Sequence, residues 1–98
     1  MNKNYSEIDK KTYDELVALL NSKQYDELEK KLEKLLLEYP KSFILFNLQG
    51  ILKKIIGKNL DAIKSFKNAI KINPNVVELY NNLGALQLEL KEFLDAKE

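Results

Sequence analysis

Cysteine, histidine, arginine and tryptophan are all missing from this 98-residue chain. Without cysteine there is no disulfide and no thiol nucleophile, and cysteine usage leaves the cellular compartment open. Without histidine as well, no zinc site of the usual ligand spacing exists, and no metal or cofactor is expected. All 16 basic residues are lysine, set against 15 acidic ones. In a chain also rich in asparagine and isoleucine, the exclusive use of lysine reads as low-GC coding bias rather than a functional choice. The resulting net charge of +1 provides no global field to draw nucleic acid or an anionic membrane. Apolar runs are short: Leu16–Leu20 and Phe43–Phe46 are the longest, and neither approaches a membrane-spanning length. Residues 1–20 mix lysine with Glu7, Asp9, Asp14 and Glu15 and lack the apolar core of a signal peptide, so a cytoplasmic location is expected.

Breakers are also scarce, with three glycines and two prolines. No Pro- or Gly-rich linker divides the chain, and residues 1–98 are read as one domain. With 45% apolar and 32% charged residues, the composition is that of a soluble helical protein rather than a disordered one. Catalysis is not expected. Acids such as Glu27, Glu29, Glu33 and Glu38 alternate with lysines along a solvated face, and i,i+4 pairs such as Glu27–Lys31 explain them. Gly50, Gly57 and Gly84 are too far apart for a phosphate-binding loop. The lysines are spread over several faces with no accompanying aromatic platform, which argues against nucleic-acid binding.

What is present is helical periodicity. In residues 60–74, LDAIKSFKNAIKINP, the residues Ala62, Ile63, Phe66, Ala69 and Ile70 form one apolar stripe, with Lys64, Lys67, Asn68 and Lys71 on the other side. Two small alanines let a neighbouring helix approach closely, and Phe66 between them fills the space that remains. Pro74 ends the helix near Ile72.

The rest of the chain aligns on this stretch at an offset of 34 positions. Moving forward, Ala62 maps to Ala96, Gly50 to Gly84 and Asp61 to Asp95; moving back, Pro74 maps to Pro40, Phe66 to Leu32, Ala69 to Leu35 and Ala62 to Leu28. Tyr25, Asn59 and Phe93 form a further column, as do Thr12, Phe46 and Tyr80. Ser6 followed by Asp9 is a weak helix-start signal, opening a first helix that runs to Asn21. After a turn at Ser22-Lys23-Gln24, a second helix covers 25–38, with Leu28, Leu32, Leu35 and Leu36 on one face, and stops before Pro40. Ser42 caps a third helix over 43–56, and Gly57 supplies the turn where positive φ is cheap. Asn75 and Glu78 resemble a capping box for a fifth helix over 76–90. Lys91-Glu92 is read as a turn, and Phe93–Ala96 as the start of a sixth helix.

An internal helix-turn-helix repeat of this period resembles the tetratricopeptide repeat (TPR) family. The likeness extends over residues 9–98, as repeats at about 9–42 and 43–76 and a partial one at 77–98. It is strongest in the second unit, through Phe46, Gly50, Gly57, Ala62, Phe66, Ala69 and Pro74, and continues through Tyr80, Leu83, Gly84, Phe93 and Ala96. The first unit keeps Tyr25 and Pro40 but has Leu16, Leu28 and Leu35 where small residues are usual, so its helices should pack further apart. Gln49 stands where leucine is usual. The resemblance implies an all-α, right-handed solenoid of antiparallel helix pairs, five helices and the start of a sixth, that binds a peptide or partner protein in a concave groove.

That geometry would line the groove with Lys10, Tyr13, Val17, Leu20 and Asn21 from the first helix and Ile44, Asn47, Ile51, Lys54 and Ile55 from the third. The fifth would add Glu78, Asn81, Asn82, Ala85, Leu88 and Glu89. Tyr13, Val17, Asn47, Ile51, Lys54, Asn81, Asn82 and Leu88 are the candidate partner-binding residues. Asn47 and Asn81 occupy one repeat column, and their amides suit a peptide backbone because they donate and accept together; the alternative is a solvated polar position in an Asn-rich chain. The aliphatic members would make a seat for an amphipathic helix, or serve as ordinary core. The carboxylate clamp that some family members use for acidic chaperone tails is not matched. Tyr13, Val17 and Leu48 stand where cationic or amide groups are needed, and Glu78 would repel a carboxylate.

In a solenoid, each unit buries its apolar face only against its neighbours. A fifth helix with so little of its partner would leave about 200–400 Å² of apolar surface bare, forgoing roughly 5–10 kcal/mol of burial. The chain is therefore expected either to be the amino-terminal part of a longer TPR protein or to cover this face by self-association. In the first case, the array resembles those that precede bacterial sulfotransferase or glycosyltransferase domains.

Overall fold

A computed structural model describes residues 7–96; the expectations for Met1–Tyr5 and for Ser6 lie outside them. Every regular element among the described residues is a helix: α1 (Lys10–Asn21), α2 (Tyr25–Glu38), α3 (Phe43–Ile55), α4 (Asn59–Ile72) and α5 (Val77–Ala96). Each end has a local cause. Asp9 accepts from the Thr12 N–H (2.8 Å) and starts α1, and Ser42 Oγ accepts from the Leu45 N–H (3.0 Å) and starts α3, each satisfying an N-terminal amide that has no partner within its helix. The breaks before Pro40 and Pro74 end α2 and α4.

The two tight turns share a backbone conformation. Gly57 has φ 85° and Lys23, one repeat earlier, has φ 61°. The left-handed geometry that glycine adopts freely is thus imposed on a lysine in the first unit. The next residue in this column is Lys91, where the sequence suggests a third turn. No turn forms there. Lys91-Glu92 continues α5 to Ala96, and there is no sixth helix among the described residues. Lysine and glutamate are strong helix formers, and Phe93 and Leu94 are exposed along the extended helix.

Each helix packs on its sequence neighbours, and α3 also meets α5 across the intervening α4. The backbones of α3 and α4 run close together, whereas α1 and α2 approach within 8 Å at far fewer places, as the large Leu16 and Leu28 at their junction require. Two apolar clusters result. One joins Ile8, Leu16, Leu28, Leu32, Leu45, Leu48 and Leu52; the other is built on Ala62, Phe66 and Leu86, with Ile51, Ile63, Leu83 and Leu90 against it. Gln49, unusual for its position, accepts a hydrogen bond from the buried Ser65 hydroxyl (2.9 Å), so a polar pair takes the place of an apolar contact. Between α2 and α3, Lys53 bonds the Glu29 carboxylate at 2.8 Å, and Lys31 faces Glu15 of α1 at 4.0 Å. Both acidic–basic pairs run between helices rather than along one helical face. No described helix is long and apolar enough to cross a membrane.

Candidate functional site

Because α2 and α4 alternate with α1, α3 and α5, the odd-numbered helices share one side of the stack. A cavity of about 390 Å³ lies there, lined by Lys10 and Tyr13 of α1, Phe43, Ile44 and Asn47 of α3, and Glu78 and Leu79 of α5, with Ile8, Asp9 and Val76 from the segments just before α1 and α5. A second cavity of about 330 Å³ lies further along α3 and α5, between Ile51, Lys54, Ile55, Asn82 and Ala85, with Phe66 of α4 at its base.

A chain of polar contacts crosses this face. Asn82 Nδ2 donates to Asn47 Oδ1 (2.8 Å), and Asn47 Nδ2 donates to Glu78 Oε2 (3.1 Å). Lys54 Nζ pairs with Glu89 Oε1 at 3.0 Å. Asn47 is only 8% exposed, and both ends of its amide are engaged, as a buried polar group requires. Asn47 therefore organises the wall by joining α3 to α5. The Glu78 carboxylate reaches across to Asn47 while the Asn75 N–H turns to Asn73 Oδ1 (3.4 Å), so the expected capping box gives way to a cross-helix contact. At the rim, Asp14 accepts from Lys10 (2.8 Å) and raises the Lys10 pKa, while the hydrogen bonds from Thr12 hold the Asp9 carboxyl below its usual range.

Of the residues expected from sequence, Tyr13 and Asn47 line the first cavity and Ile51, Lys54 and Asn82 the second. Val17 and Leu20 instead pack against the first apolar cluster; they are partly buried core. Asn81 and Leu88 are exposed and line neither cavity. Asn82, rather than its column-mate Asn81, meets Asn47, because the stripe of α5 turned toward α3 passes through 78, 82 and 85–86. Ile8, Phe43 and Val76 are wall residues that the helical stripes did not single out. The available signal was an apolar residue immediately before or at a helix start, where it packs back against the first turns.

The family model described as TPR repeat matches residues 55–91, from the end of α3 through α4 and most of α5. By this match the chain carries a tetratricopeptide-repeat segment. No curated protein and no solved structure matches the chain. The matched segment holds Ala62, Phe66, Ala69, Pro74 and Gly84, the residues that carry the resemblance, and the helical hairpins around it have the family's all-α repeat form. Tetratricopeptide repeats generally mediate protein–protein interaction, and this chain is an interaction module of that kind.

Proposed function

We propose that the wall formed by α1, α3 and α5 is the binding face and that it seats a peptide or a segment of a partner protein. The observation that carries this reading is the first cavity: one concave site assembled from all three odd-numbered helices, with apolar walls and a few fixed polar groups. Recognition sites commonly have this composition. On this reading the protein is a non-catalytic binding module. The test is capture of the partner by the isolated chain and by two variants. The partner should be retained by Lys64→Glu, on an exposed position of α4, and lost by Tyr13→Asp, in the cavity wall. Retention by Tyr13→Asp at full strength would remove the groove assignment.

A second reading, self-assembly, is favoured by one comparison. A methyl group added at Gly50 would collide with Phe66, whereas one added at Gly84, the same place one repeat later, would meet nothing within 4 Å. Val77, Tyr80 and Leu88 on the same side of α5 are exposed. In this reading a helix of a second copy places a bulky side chain over Gly84. Light scattering across a concentration series should then show a dimer that Gly84→Lys disperses; a monomer at every concentration would exclude it.

A further inference from the structure

Among the described residues, three acids within the helices reach a lysine of a neighbouring helix: Glu15 faces Lys31, Glu29 Lys53 and Glu89 Lys54. Glu78 differs. Its carboxylate is held by Asn47, which is in turn held by Asn82, and among the described residues it has no lysine within ion-pair distance. The amide relay holds Glu78 Oε2, and Glu78 as a whole is exposed. The nearest cation in the same cavity wall, Lys10, is occupied by Asp14, and Asp9 adds a further negative charge. The cavity therefore combines apolar walls with an ordered anion that no described lysine pairs.

We propose that this cavity selects a segment carrying a bulky apolar side chain with a lysine or arginine beside it. This rests on the reading of the α1–α3–α5 wall as the binding face and names its ligand chemistry. The apolar group enters between Tyr13, Phe43, Ile44 and Val76, and the cation meets Glu78. Because the carboxylate is already positioned by the buried Asn47 amide, little ordering is required when the cation arrives, and a charge-assisted hydrogen bond is stronger than a neutral one. An acidic segment is rejected by the same group.

The test uses immobilised short synthetic peptides that share one phenylalanine and carry Lys, Gln or Glu at each neighbouring position in turn. They are probed with the intact chain and with Glu78→Gln and Glu78→Lys, after circular dichroism has shown both variants to be folded. The wild-type chain should favour the lysine peptides over the glutamine ones by about fivefold, less at high salt. Glu78→Gln should abolish the preference, and Glu78→Lys should transfer it to the glutamate peptides. A lysine preference that survives in Glu78→Gln overturns the assignment to Glu78. Binding that ignores charge overturns the proposed ligand chemistry and leaves the groove standing. Failure of every peptide to bind the folded chain removes both.

Discussion

Gly50 and Phe66 are so close that a Cβ at Gly50 would lie 2.5 Å from Phe66 Cε1, and Phe66 is itself buried. The buried ring must shift to admit the methyl group, so Gly50→Ala should lower stability by about 1–3 kcal/mol through overpacking, even though alanine is the better helix former. Gly84→Ala, one repeat later, meets open space and should raise stability by about 0.5–1 kcal/mol. Chemical denaturation of the two variants gives the comparison. Equal effects would mean that the two positions are not distinguished by the packing of α4.

The paired turns make a second prediction. Lys23 and Gly57 hold the same left-handed conformation, which is strained only for the lysine. Lys23→Gly should stabilise the protein by about 0.5–1 kcal/mol and Gly57→Ala should destabilise it by about 1 kcal/mol. Melting temperatures that move in the same direction would contradict the shared geometry.

Ser42 is fully buried. Its hydroxyl caps Leu45 and donates to the Glu7 carboxylate, which also accepts from the Ile44 N–H at 3.3 Å. A carboxylate at the start of α3 is favoured by the helix dipole, and the contact ties the segment before α1 to the second repeat. Ser42→Ala should cost about 1–2 kcal/mol. Combining it with Glu7→Gln should cost less than the sum of the two, because they share one network. Full additivity in urea unfolding would show that the two residues act separately.

Glu29 carries the pH dependence of the α2–α3 contact. The hydrogen bond from Lys53 holds its carboxyl below the ordinary value of 4.5. The folded pKa is depressed, so the stabilisation is present above the unfolded pKa and is lost as pH falls through the folded value. With the pair partly exposed, Glu29→Gln should cost about 0.5–1 kcal/mol at neutral pH. That difference should shrink as pH falls below about 4. A difference that persists undiminished in acid would show that the ion pair is not its source.

Much of the architecture was legible in the sequence, because a repeat states each position more than once. The pair Pro40/Pro74 marked helix ends, the pair Gly50/Gly84 marked the repeat, and the Ala62–Phe66–Ala69 stripe marked the buried face and a close helix approach. What local pattern could not reveal was which charged groups meet through space. Glu29 lies on a lysine-rich helix and looks like one of its solvated acids, yet it reaches Lys53 on the next helix. Glu78 looks like half of a capping box, but α3 brings Asn47 within its reach. The candidate groove was legible only in part for a related reason. Val17 and Leu20 share a helical stripe with Tyr13, yet Tyr13 meets the cavity while they pack against the core, a division that spacing along one helix does not state. The continuation of α5 past Lys91 agrees with the helix preference of lysine and glutamate, which the repeat alignment outweighed when a turn was expected there.

Site-specific photo-cross-linking in cells can show whether partners dock on α1, α3 and α5. A photoreactive side chain at Tyr13 or Ala85, in the two cavity walls, should form a discrete adduct with a partner protein, and one at Leu37 or Lys64 on the even-numbered helices should not. Adducts from Leu37 and Lys64 alone would contradict docking on that face.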